Sequence, residues 1–163
     1  MTIEQTEILI IGAGPAGAVA AGLLRKQGRQ VLILEKEQFP RFSIGESLLP
    51  YCMEHIEAAG FLRDVVEAGF QYKNGAAFQR AERYTAFDFR EKCSVGWGTT
   101  YQVQRADFDH VLARAAEKAG AQIRYQHKVT AVSVEGDRPL VDVVSAEGEA
   151  YQVSARFLLD ASG

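Results

Sequence analysis

The chain has 163 residues, 47% hydrophobic and 24% charged, with a formal net charge of −3. That is the balance of one ordinary globular domain and excludes disordered, collagen-like and coiled-coil chains. It also leaves no basic excess for a dedicated nucleic-acid binder. Cys52 and Cys93 stand far apart in no C-x-x-C pattern, and His55, His110 and His127 show no metal-ligand spacing. No disulfide framework and no metal site is expected, the histidines read as ordinary surface or core residues, and a reducing compartment fits.

Ile8 to Leu24 carries no charge over 17 residues. A secretory signal would place basic residues before such a run, but Glu4 and Glu7 precede it, and the run is short for a membrane span. Gly12, Gly14, Pro15 and Gly17 punctuate its middle, so it reads as a buried strand, a turn and a helix. With no export signal, the cytoplasm is expected.

Glu7 to Ile11 is a short apolar run ended by glycine, the pattern of a strand buried on both faces. Ala16, Val19, Ala20, Leu23 and Leu24 then fall at helical spacing, and the helix ends near Gly28. Gln30 to Leu34 is a second strand, which completes a βαβ unit. Phe39 to Pro50 reads as a loop. Leu48 to Ala58 and Phe61 to Ala68 read as helices broken at Gly60, and Ala76 to Arg80 and Tyr84 to Phe89 as a pair of strands. Phe108, Val111, Leu112, Ala115 and Ala119 form one helix face that stops at Gly120. Gln122 to Tyr125 is a further strand for the main sheet. Turn signals at Gly136-Asp137 and Glu147-Gly148 separate Val129–Val134, Leu140–Ser145 and Tyr151–Ala155 into a small three-stranded meander. Alternation from Tyr151 to Leu159 predicts that its last strand continues into the main sheet. The fold class is α/β: a Rossmann-like domain with a parallel sheet, a βαβ start and a meander crossover. Because a strand and a small-residue turn close the sequence, we expect the N-terminal part of a longer protein.

Gly12-Ala13-Gly14-Pro15-Ala16-Gly17 lies between the first strand and the first helix. In a dinucleotide fold Gly12 permits the tight turn, Gly14 admits the pyrophosphate close to the backbone, and Gly17 lets the helix pack on the strand. Glu35 ends the second strand 23 residues after Gly12. A carboxylate there accepts hydrogen bonds from the adenosine ribose and disfavours a 2′-phosphate. These residues alone leave FAD and NAD open.

The wording Gly-Ala-Gly-Pro-Ala-Gly resembles the FAD-binding version found in glutathione-reductase-type flavoproteins. Val103 to Asp109 resembles the V-x-R-x-x-F-D segment of their hydroxylase-like branch, and Phe157 to Gly163 resembles the strand and D-A-S-G turn that follow the meander. Pro40 to Pro50 resembles the P-R-x-x-x-G-E-S-L-L-P segment of flavin-dependent halogenases. The resemblance implies FAD as cofactor, held by the glycine loop with Pro15 and Ala16, by Glu35 and Lys36, by Arg41, by Arg105, by the backbone of Val129 and by Asp160. It implies a strap along the flavin in which Ile44, Gly45 and Glu46 contact the ring, with Ser47 as cap of the next helix. It implies that residues 69–101 form a substrate-side insertion carrying Lys73, the residue expected to do chemistry. Phe70, Tyr72 and Phe78 are close in sequence and are expected to desolvate its ammonium group.

The implied activity is halogenation. Reduced FAD, oxygen and halide give hypohalous acid, which Lys73 holds for an aromatic or otherwise electron-rich small molecule, free or carrier-bound. A flavin reductase would supply the reduced FAD. Two other readings stay open: a monooxygenase or alkene reductase on the same fold, and a truncated FAD-binding module without turnover. The sequence does not distinguish chloride from bromide. Trp97, between Gly96 and Gly98, reads equally as a substrate-facing and as a packing residue.

Overall fold

The structure, a computed structural model, describes residues 3–163. A six-stranded sheet has the order β7-β2-β1-β10-β9-β8. Strands β1 (Ile3–Ile11), β2 (Val31–Glu35), β7 (Gln122–Tyr125) and β10 (Ala150–Asp160) are parallel neighbours. The meander strands β8 (Lys128–Ser133) and β9 (Leu140–Val144) pair antiparallel beyond them. All of β2 is buried, as its unbroken Val-Leu-Ile-Leu run requires of a strand covered on both faces.

Period-two alternation along β1 divides the interior. Ile8 and Ile10 point to a core shared with helices α1 (Pro15–Lys26), α2 (Tyr51–Ala59), α3 (Leu62–Glu67) and α4 (Arg105–Lys118). Leu9 points the other way, to a second core with Leu32, Leu34, Val141, Val143, Val153 and Ala155. In the larger core Phe108 and Leu112 of α4 lie fully buried, and Phe70 meets Phe108 edge-on at 5.7 Å between ring centroids. The small residues of α1 bring it close to its neighbours: a Cβ on Gly22 would stand 2.3 Å from the Phe61 ring.

The expected continuation of the meander into the main sheet is present. Ala150–Ser154 of β10 pairs with β9, while β10 pairs with β1 from Gln152 to Asp160. The expected strand pair is β4 (Gly75–Arg80) with β5 (Arg83–Asp88). Two strands escaped the pattern reading, β3 (Gln71–Lys73) and β6 (Thr100–Gln102), which pair antiparallel. Three residues are too few to display a period.

One helix boundary differs for a physical reason. Helix α2 begins at Tyr51 with Pro50 at its cap position, not at Leu48. Residues 46–48 belong instead to an antiparallel pairing with β6: Ser47 bridges Gln102, the Val103 N–H donates to Glu46 O at 2.9 Å and the Leu48 N–H to Tyr101 O at 3.2 Å. Ser47 is therefore not a helix cap. No helix among the described residues is long and apolar enough to cross a membrane.

Phe108→Ala removes a fully buried ring of the larger core that packs against Phe70. We expect it to lower unfolding stability by about 3–5 kcal/mol, measured by urea denaturation.

Candidate functional site

A cavity of about 1100 Å³ opens where the C-terminal ends of β1 and β2 meet the start of α1. The glycines of the loop between β1 and α1 have separable reasons for being there. Gly12 has φ +95°, and a Cβ on it would lie 2.7 Å from Ala161 O. A Cβ on Gly17 would lie 2.0 Å from Gly12 O. The fold alone forbids side chains at both. Gly14 is different: its φ of −62° and ψ of −179° suit any residue, and the nearest atom to a Cβ there is Arg41 Nη2 at 3.6 Å. No protein atom explains this glycine. A side chain on it would fill the cavity, so the loop fits a group that approaches the backbone.

Helix α1 starts at that point with Pro15 at its first position, no side-chain cap and no acidic residue in its first turn. Its unpaired N–H groups and the positive end of its dipole are thus left for an anion. Glu35 is buried and holds the turn: Oε2 accepts from the Ala13 N–H at 2.8 Å, and Oε1 from the Glu37 N–H at 2.9 Å. Each oxygen keeps a lone pair, and the residue still lines the cavity.

Opposite the loop lies a charge cluster in which only the arginines were singled out from sequence. Asp109 is fully buried. It accepts from Arg105 Nε at 2.7 Å through Oδ1 and from Arg105 Nη2 at 3.0 Å through Oδ2, and Arg41 Nη1 lies 3.2 Å from the same Oδ2. Arg105 also donates through Nη1 to Ile44 O at 2.6 Å, and the Arg41 guanidinium lies 4.8 Å from the Phe39 ring centroid. The Asp109 carboxylate raises the pKa of Arg105 above its ordinary value. The signal for Asp109 was present in its i, i+4 spacing from Arg105.

Gly12, Gly14, Pro15, Ala16, Glu35, Lys36, Arg41, Arg105, Val129 and Asp160 all line the large cavity, together with Phe42, Ser43 and His127. The hydrogen bonds from Ser162 to Asp160 hold its carboxyl below the usual range. Gly17 is buried behind the loop. Gly45, at φ +89°, borders an adjoining apolar cavity of about 500 Å³ with Pro15, Ala16 and Arg105. Ile44, Glu46 and Ser47 line neither cavity; the carbonyls of Ile44 and Glu46 are taken by Arg105 and Val103.

Lys73 lies on β3, on the far side of β6 from the strap. Its Nζ donates to Ser47 Oγ and to Leu48 O, each at 2.7 Å, and lies 5.1 Å from the Phe89 ring centroid. The aromatic ring against the ammonium is thus Phe89 rather than the three expected from sequence. Phe70 packs on Phe108, Phe78 stacks on Phe87, and Tyr72 is exposed. Trp97 combines packing with a polar anchor, its Nε1 donating to Glu57 Oε2 at 2.8 Å. Among the described residues no group of three His, Cys, Asp or Glu side chains could hold a metal ion, and both cysteines are free thiols.

A glycine turn with a ligand-shaped gap, an open helix N-terminus and an acidic end to β2 define a dinucleotide-binding domain. A family model described as "FAD binding domain" matches residues 5–163; the chain belongs to that family, and its cofactor is FAD. Among known proteins it is 38% identical to a tryptophan 2-halogenase of Chondromyces crocatus, over 98% of this chain and 30% of that protein. It is 36% identical to the flavin-dependent halogenase armH4 of Armillaria mellea, over 98% of this chain and 32% of that protein. Among solved structures, a flavoprotein/dehydrogenase from Cytophaga hutchinsonii superimposes with a TM-score of 0.94 at 46% identity, covering 98% of this chain and 40% of that one. The myxobacterial chondrochloren halogenase CndH superimposes with a TM-score of 0.89 at 36% identity, covering 98% and 38%. The chain spans about a third of the length of these curated relatives.

Two substitutions test the site. Gly14→Val is expected to abolish flavin binding at a stability cost of only about 1 kcal/mol, the loss of a tolerated cap residue; flavin titration beside circular dichroism separates the two effects. Asp109→Ala leaves two arginines without their buried partner and is expected to cost about 3–5 kcal/mol, read by chemical denaturation.

Proposed function

We propose that this chain is the FAD-holding part of a flavin-dependent halogenase, and that Lys73 holds the halogenating species. The observation that carries the proposal is the double hydrogen bond from Lys73 Nζ to Ser47 and Leu48, which joins the lysine directly to the strap.

When bound, reduced FAD supplies the electrons with which oxygen converts halide to hypohalous acid. The chain's own groups do the rest. The N–H groups of Pro15's successors at the start of α1, with Arg41, bind the diphosphate, and the gap at Gly14 admits it. Glu35 and Lys36 flank the adenosine ribose, and the Val129 backbone meets the adenine. Asp160 and the turn after it close the cavity beside the glycine loop. Arg105 fixes the strap through Ile44 O, and the strap residues Ile44, Gly45 and Glu46 would hold the flavin, Gly45 from the edge of the apolar cavity. Lys73 spends two of its three N–H donors on the strap, which fixes the direction of the third. That donor holds hypohalous acid by its oxygen and presents the halogen to an electron-rich carbon.

The relatives support the wider setting. Tryptophan 2-halogenase acts, by its name, on an aromatic amino acid, and another relative, 33% identical, is a brominase of a pyrrole carried on a peptidyl-carrier protein. An aromatic substrate, free or carrier-bound, is the proposed substrate class, with halide and a flavin reductase as partners, in the cytoplasm. The 46% identity to a flavoprotein/dehydrogenase favours a second reading, an FAD-dependent oxidoreductase that uses no halide.

In the full-length enzyme, Lys73→Ala is expected to lower product halogenation by more than about 100-fold while stopped-flow flavin oxidation proceeds at the wild-type rate. Lys73→Arg is not expected to restore it, since a planar guanidinium cannot reproduce the compact ammonium. Wild-type halogenation in Lys73→Ala would sink the assignment, and absence of any halide-dependent product from the wild type would favour the second reading.

A further inference from the structure

His127 sits in the turn between β7 and β8, two residues before Val129. It is half-buried and lines the large cavity. Its backbone N–H donates to Glu35 O at 2.9 Å, so it stands beside the acidic residue that ends β2. In dinucleotide folds that residue marks the adenosine ribose. His127 therefore lies at the adenosine end of the cavity.

Its ring is held by a polar chain that crosses three strands. Arg124 of β7 donates through Nη2 to Glu4 Oε2 of β1 at 2.7 Å, and Arg124 Nη1 lies 3.4 Å from the hydroxyl oxygen of Tyr151 on β10. That hydroxyl is 2.7 Å from His127 Nδ1, and the two rings meet edge-on with centroids 5.7 Å apart. A guanidinium only donates, so the phenol oxygen receives from Arg124 and keeps its own proton for Nδ1 as the one remaining nearby acceptor. With Nδ1 accepting, the neutral ring carries its hydrogen on Nε2, and it is this tautomer that we take and test. Nε2 has no hydrogen-bond partner among the described residues.

We propose that His127 recognises the adenosine half of FAD, presenting a fixed Nε2–H donor to a ring nitrogen of adenine or an oxygen of the ribose. Tyr151 and Arg124 are its positioning residues. The proposal rests on the reading of this cavity as the FAD seat. It adds a side-chain donor to an end of the cofactor otherwise assigned to Glu35, Lys36 and backbone.

Two measurements on the chain test it. The first is the long-range nitrogen spectrum of the histidine rings at about pH 8, where a free imidazole is neutral. The expected result without ligand is the Nε2–H tautomer for His127, with its Nε2 resonance moving as FAD is added. An Nδ1–H tautomer, or no response to FAD, overturns the proposal. The second is FAD affinity beside thermal stability. His127→Ala is expected to weaken FAD binding about tenfold with no fall in the unfolding midpoint. His127→Gln, which keeps an N–H donor, should recover part of that affinity, and Tyr151→Phe should weaken binding about threefold by releasing the tautomer. Unchanged affinity in His127→Ala, or a loss that tracks a fall in the midpoint, overturns the proposal. A wild-type chain that shows the Nε2–H tautomer but binds no FAD overturns the reading of the cavity instead.

Discussion

A carboxylate with no exposure to water must be paired, and the arrangement around the cavity depends on how Asp109 meets that demand. Its partners come from different places: Arg105 from the first turn of the same helix, Arg41 from the segment after β2. Arg105 then reaches across to Ile44 O. One buried charge thereby brings α4, the arginine beside the glycine loop and the strap into register. Two guanidinium groups around one carboxylate leave a net positive charge facing the start of α1, which adds to the helix dipole there. The wall opposite the glycine loop is thus suited to a doubly charged diphosphate.

The remaining walls are set by sheet geometry. Parallel strands β1 and β2 end side by side, and the strand-to-helix turn over them is tight because Gly17 and Gly12 touch backbone to backbone. Glu35 ties that turn to the end of β2, and His127 ties the end of β2 to the meander. The hydrogen-bonded path from Ala13 through Glu35 to His127 therefore runs along one side of the cavity, from the glycine loop to the turn before the meander. On the other face of the sheet β8 approaches β2, and Val141 and Val143 of the meander share the second core with Leu32 and Leu34.

Much of this was legible in the sequence because it rests on local patterns. The buried β2, the glycine turn and the meander are each written as an apolar run, a motif or a turn signal. What escaped depends on pairings between distant segments. Strands β3 and β6 are short and exist through their pairing with each other and with the strap. The same pairing moved the start of α2 to Tyr51 and turned Ser47 from an expected cap into an acceptor for Lys73. The ring over Lys73 is Phe89 because a hairpin returns it, whereas sequence neighbours such as Tyr72 alternate to the opposite face. Asp109 was in plain view four residues from Arg105, but its second arginine lies 68 positions away, a separation no local pattern reports.

The pairing of β3, β6 and residues 46–48 has a mechanical consequence. Lys73 lies opposite Thr100 on β6, Gln102 lies opposite Ser47, and the lysine ammonium closes the loop onto Ser47 and Leu48. Three segments joined by one ladder, one bridge and its two flanking backbone hydrogen bonds, and closed by a side chain, are coupled to one another. Any shift of the strap toward or away from the cavity carries Lys73 with it, so the lysine keeps a constant offset from the strap backbone. The distance between the two is a property of the pairing and not of whichever position the strap occupies.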